Sequence, residues 1–258
     1  MTGGEGMIDL QKAPFGKRIF AFLADLIVAG ILISGIYFAL SAILDIDGYT
    51  KKYNDILLSY EEEYGVSYDT TQEQYSAMTD AEKEHYAEAV DAMNADEDAN
   101  KAIKTAYTLT FITFASGIIV SMLLLEFIVP LLFGDGRTLG KRLFGLGVMR
   151  TNYVRITPVQ LFVRGVIGKG VFELVLPILI ILSVLSGKTG VFGLILLGVM
   201  VIAEIVVLIR SDSNSMLHDV LADTAVVDWA SQRIFENEKQ RDAYIREQKE
   251  AEEQNKLY

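Results

Sequence analysis

The 258-residue chain contains no cysteine, which excludes disulfides, thiolate nucleophiles and Cys-ligated zinc. Histidine is nearly as scarce. His85 and His218 are the only two, too few for a His-rich metal centre. A basic surface is missing as well. The segment Asp45 to Ala106 holds 16 acidic residues against five lysines, which accounts for the whole net charge of −11. The remainder is neutral overall and has no concentrated basic patch, so nucleic acid is not an expected partner.

Enzyme signatures are absent too. Ser186-Gly187-Lys188-Thr189 imitates the end of a phosphate loop, but Leu182 stands where the first glycine belongs. Asp96, Asp98 and Asn100 imitate the start of a calcium loop, but Lys101 and Tyr107 occupy the glycine and glutamate positions. No Ser, His and Asp set stands out for nucleophilic catalysis. The chain reads as a non-enzyme that needs no cofactor.

Apolar residues are plentiful. Hydrophobic residues make up 51% of the chain and charged residues 22%, so the two kinds must be segregated. Long apolar runs occupy Arg18 to Leu44, Tyr107 to Phe133, Leu161 to Ser186 and Val191 to Ile209. A hydrocarbon core of about 30 Å needs roughly 20 helical residues. An all-α, polytopic membrane helix bundle follows, with about four transmembrane helices. The spacing predicts spans over 18–44, 107–133, 171–186 and 191–209. Thr157 and Pro158 form an N-cap and first-turn proline. Arg164 and Lys169 break the apolar pattern that follows, so 158–170 is expected to be an interfacial amphipathic helix within a loop over 134–170. Gly187 to Gly190 makes a tight hairpin.

The first apolar run is too long for a signal-peptide core and is read as an uncleaved span. Lys12, Lys17 and Arg18 precede it. Arg137, Lys141, Arg142, Arg150, Arg155, Arg164 and Lys169 lie between spans two and three. The positive-inside rule then places residues 1–17, the 134–170 loop and the 210–258 segment in the cytoplasm. Residues 45–106 form an extracytoplasmic acidic insertion. Thr79 and Glu82 have capping-box spacing, so the insertion is expected to be helical. A helical cap and a dedicated partner surface both remain open for it. From Ser231 onward, alternating charges such as Asp242 with Arg246 suggest a solvated helix.

Charges inside the spans carry the most information, since each costs about 2.5–3.5 kcal/mol at the bilayer centre even on lenient scales. Asp25 lies two helical turns above Arg18 on the same face. With Glu126, Glu173 and Glu204 it forms one cytoplasm-proximal slab of carboxylates. Two readings stay open. Arg18, Arg142, Arg164 and Arg210 pair with the acids and fix the packing, or the carboxylates line a hydrated cavity and bind a cation or titrate. Pairs of small residues such as Gly30 with Ser34 and Gly117 with Ser121 permit close helix approach, within a chain or in a homo-oligomer.

Three ordered stretches resemble the RDD family. The first runs from Ala13 to Ile27 and includes Arg18 and Asp25. The second, Gly136 to Met149, is followed by Ile156-Thr157-Pro158 and Arg164. The third, Met216 to Val227, contains His218 and Asp219. Together they bracket residues 13–228. Asp223 stands where the resemblance leads one to expect glycine before Thr224, and the acidic insertion is longer than typical. The resemblance implies a multi-pass protein of the bacterial plasma membrane and a candidate transporter, without implying a substrate. A proton or monovalent-cation exchanger is the leading expectation. The alternative is a non-transporting adaptor that binds another membrane protein through its cap or tail. The partners expected are the lipid bilayer, a cation or proton, and a further copy of the chain.

Overall fold

The computed structural model describes residues 8–185, 187–211 and 215–255. Ser186, the expected end of the third span, lies outside the described residues. Two compact units divide the chain: residues up to Ile31 together with those from Ile119 onward, and Leu32–Ile118.

Four helical runs are long and apolar enough to cross a membrane: Phe15–Ile43, Glu97–Phe133, Pro158–Val184 and Gly190–Arg210. The protein is therefore an all-α, multi-pass membrane helix bundle. Large apolar side chains such as Ile27, Leu132, Val191 and Phe192 stand exposed on these runs. Such surfaces suit lipid.

The first run is α1 (Phe15–Ile43). The second begins in α5 (Glu97–Leu123), widens into a π-helical turn over Leu124–Ile128 and ends as α6 (Val129–Phe133). It starts ten residues before the expected Tyr107, because the capped end of the acidic insertion continues into the span. The third run joins α8 (Pro158–Phe162), a π-helical stretch over Val163–Val175 and α9 (Leu176–Leu185). The expected amphipathic helix and short span are thus one continuous helical run, since Arg164 and Lys169 are turned inward and do not end it. Thr157 caps its start, as expected, and does so through a full capping box with Gln160. The fourth is α10 (Gly190–Arg210).

In the Leu32–Ile118 unit, α2 (Ile46–Tyr64), α3 (Gln72–Ala77) and α4 (Asp80–Ala95) form a small helical cap. Thr71 and Thr79 both make full capping boxes. The tyrosines pack the cap: Tyr75 meets Tyr86 edge-on, and Tyr68 Oη donates to the Ala89 carbonyl at 2.9 Å.

The other unit also holds a short two-stranded sheet beside the helices, which the sequence pattern did not mark. Strands β1 (Leu146–Arg150) and β2 (Thr224–Asp228) pair antiparallel, with Leu146 opposite Asp228 and Arg150 opposite Thr224. Leu146, Val148, Met149 and Val227 are fully buried. The chain before α1 joins them, as Asp228 N–H donates to Gln11 O at 3.0 Å, and Lys17 in the first turn of α1 meets Asp228 through Nζ at 2.7 Å. The apolar residues of the basic 136–149 loop lead one to expect Leu146 at the membrane boundary, but it packs with Ala13, Ala21 and Val226. Two short helices complete the unit, α7 (Leu139–Leu143) and α11 (Leu217–Leu221). Helix α12 (Glu238–Asn255) is largely exposed, as the charge pattern predicts. There, Asp242 pairs with Arg241, one residue away.

Candidate functional site: a buried charge cluster

The π-helical stretch determines what this unit can bring together. Arg164 and Glu173 are nine residues apart, which in a regular α-helix is roughly half a turn out of phase. A π-helix closes i→i+5 bonds at roughly 4.4 residues per turn, so the same separation returns both side chains to one side. Both reach His218 on α11. Glu173 Oε1 lies 2.7 Å from His218 Nδ1, and Arg164 Nη2 lies 3.4 Å from His218 Nε2. An ionised carboxylate only accepts, so Nδ1 carries the proton and Nε2 accepts from Arg164. Burial pushes the imidazole below its ordinary pKa, against the opposing pull of Asp219 and Glu173. His218 is neutral at pH 7.

Asp219, one residue on, is fully buried. Arg164 Nη2 stands 2.8 Å from its Oδ1, and Arg18 stands 3.7 Å from its Oδ2. Its carboxyl also takes Thr224 Oγ1–H at 3.1 Å. Burial disfavours the ionised form, but Arg164, His218 and Arg18 outweigh it and hold the pKa at about 2. Close approach is needed to bring α11 here. A Cβ on Gly168 would lie 2.6 Å from that of His218.

A second ion pair joins the two π-helical regions, with Lys169 Nζ 2.6 Å from Glu126 Oε1. Lys141 is buried beside it. Burial and the charge of Lys169 push its ammonium down to about 8, against the opposing influence of Glu126 and Asp25. Glu204, from α10, accepts the Leu217 N–H at 3.1 Å through Oε2, and its buried Oε1 has no hydrogen-bond partner.

Asp25 is placed differently from its expected role as the same-face partner of Arg18. It accepts Thr138 Oγ1–H at 2.5 Å and Gly140 N–H at 2.7 Å. Gly140 itself sits directly against the Ala21 carbonyl, where no side chain fits. Asp25 thus fixes the start of α7 to α1, and the ion pair of Arg18 is with Asp219. Two further assignments change. Glu126 is served by Lys169, not by an arginine. Arg142 pairs with Asp135 at 2.6 Å, and Lys141, which its place in a basic loop suggests for lipid headgroups, is buried.

The model of the RDD family matches residues 12–223 of this chain, most of its length. The chain belongs to the RDD family. No curated protein and no solved structure matches it. In this RDD protein, Arg18 and Asp219 meet through charge while Asp25 works through hydrogen bonds. Lys169, Lys141 and Thr138 complete the cluster, although the sequence reading gave them no site role. One signal was available: Lys169, like Arg164, interrupts an otherwise apolar run, and a buried lysine requires a carboxylate.

Proposed function

We propose that this RDD protein is a small transporter that exchanges a proton for a monovalent cation through the buried cluster. One observation carries the reading. Among the described residues, the cluster's carboxylates (Asp25, Glu126, Glu173, Glu204 and Asp219) outnumber its cations (Arg18, Lys141, Arg164 and Lys169) by one. With His218 neutral, a single positive charge is missing. One proton or one monovalent cation supplies it. A site that either can neutralise is the minimal requirement for exchange, and π-helical turns often mark such functional places.

The orientation follows from the same unit. The chain before α1, strand β1 between the second and third runs, and strand β2 after the fourth all hydrogen-bond together. This supports placing all three on one side, and the lysines and arginines around them favour the cytoplasmic side of a bacterial plasma membrane. Reporters fused after Arg155 and at the C-terminal end then read cytoplasmic, and one after Lys101 reads external.

The test of exchange is direct. In liposomes holding the purified protein, an imposed sodium or potassium gradient drives proton movement in the opposite direction, reported by an internal pH dye. Cation gradients that move no protons would remove this reading. The adaptor reading draws on the exposed α12 and on a cleft of about 340 Å³ beside Val148, Trp229 and Gln232, which no cluster residue lines. It is favoured if flux is absent and α12 retains another membrane protein.

A further inference from the structure

We infer that Glu173 and Glu204 share one proton, making their carboxyl pair the proton-binding site of the cluster. The adjacent backbone amides of Leu217 and His218 hold them side by side. Leu217 N–H donates to Glu204 Oε2 at 3.1 Å, and His218 N–H donates to Glu173 Oε1 at 3.2 Å. Two carboxylates held on adjacent amides, each partly buried, repel one another, so ionising both is costly. A proton between them replaces repulsion with an O–H···O hydrogen bond.

The surroundings favour this pair over the other acids. Asp219 has Arg164 and Arg18, Glu126 has Lys169, and Asp25 has Thr138 and Gly140. The groups facing the pair are Lys169 from the π-helical stretch and His218 and Asp219 from α11, with Arg164 behind them against His218 and Asp219. Helix α9, packed on α10, contributes nothing ionisable. The cations are engaged by other acids, and His218 serves Glu173. Glu204 Oε1 is left buried without a partner, a costly position for an ionised oxygen and an ordinary one for a protonated carboxyl. The charge count agrees, because one proton on this pair brings the cluster to neutrality.

The protonation rests on this geometry, and only its use in exchange rests on the function proposed above. Infrared spectra of the full-length protein in nanodiscs at pH 7 test it. The wild type is expected to show a protonated-carboxyl band that is missing from folded Glu204→Gln and shifted or missing in Glu173→Gln. A wild type without such a band at pH 7 overturns the inference even if neither variant folds. So does a folded Glu204→Gln that loses only ionised-carboxylate absorption. A band that behaves as expected, in a protein that moves no protons against cations, keeps the shared proton and removes the exchange function.

Discussion

Arg164 and Glu173, nine residues apart on one helical run, both reach the imidazole of His218 from the same side. The π-helical geometry makes that possible, and Gly168 lets His218 come close enough. Gly168→Ala therefore sets two effects against each other. Alanine is the better helix former by about 1 kcal/mol. The added methyl, however, meets both Cα and Cβ of His218, and such overpacking costs about 1–3 kcal/mol. The variant is expected to melt below the wild type in detergent, and a higher melting temperature would show that α11 yields easily.

Asp219, itself without solvent access, anchors two arginines. Removing one member of a buried pair costs about 3–5 kcal/mol, because the other charge is stranded. Asp219→Asn is expected to fall in that range. Arg18→Gln loses less, since its contact is longer and its side chain partly exposed. Arg164→Gln combined with Asp219→Asn is expected to lose less than the sum of the single changes in chemical or thermal unfolding. Strict additivity would mean that the pair contributes little.

For Asp25, the hydrogen bonds to Thr138 and Gly140 predict a graded series. Asp25→Ala strands both donors and is expected to cost about 1–3 kcal/mol. Asp25→Asn keeps an acceptor for the Gly140 amide and loses less. Thr138→Val should be coupled to either change in a double-mutant cycle. Equal damage from Asn and Ala would instead point to a charge role.

The spans, the capping box at Thr79, the N-cap at Thr157 and the exposed tail helix were legible because each depends on local pattern or spacing. Most charge partners were not, although an arginine of the 134–170 loop is the expected partner of Asp219 and Arg164 supplies it. The two-turn spacing of Arg18 and Asp25 gives a shared face in one helix, but Thr138 and Gly140 lie more than a hundred residues away and compete for Asp25. Strands β1 and β2 are five-residue runs separated by two spans, so nothing local marks them as partners. The phase shift that aligns Arg164 with Glu173 was hidden because the sequence was read with an α-helical period. Asp223 gave a partial signal. The glycine expected there corresponds to a left-handed backbone, and Asp223 adopts it at φ 54° with its carboxylate bonded to Thr151 Oγ1–H.

Lys141 makes stability depend on alkaline pH. Its pKa falls from the ordinary lysine value to about 8 in the folded protein, so between those values the unfolded chain binds more protons than the folded one. Stability from this residue therefore rises as pH increases from about 8 towards the ordinary lysine value. Relative to Lys141→Met, the wild type is expected to gain melting temperature over that window. A difference independent of pH would mean that Lys141 titrates as an exposed lysine.

In the proposed exchange, the ionisable cluster couples proton movement to cation movement, with His218 linking its carboxylates. Proton flux driven by a sodium or potassium gradient, compared in liposomes between wild type and folded His218→Gln, tests it most directly. Coupled flux is expected in the wild type and is expected to be lost in the variant. Undiminished coupled flux in a folded His218→Gln protein would contradict it.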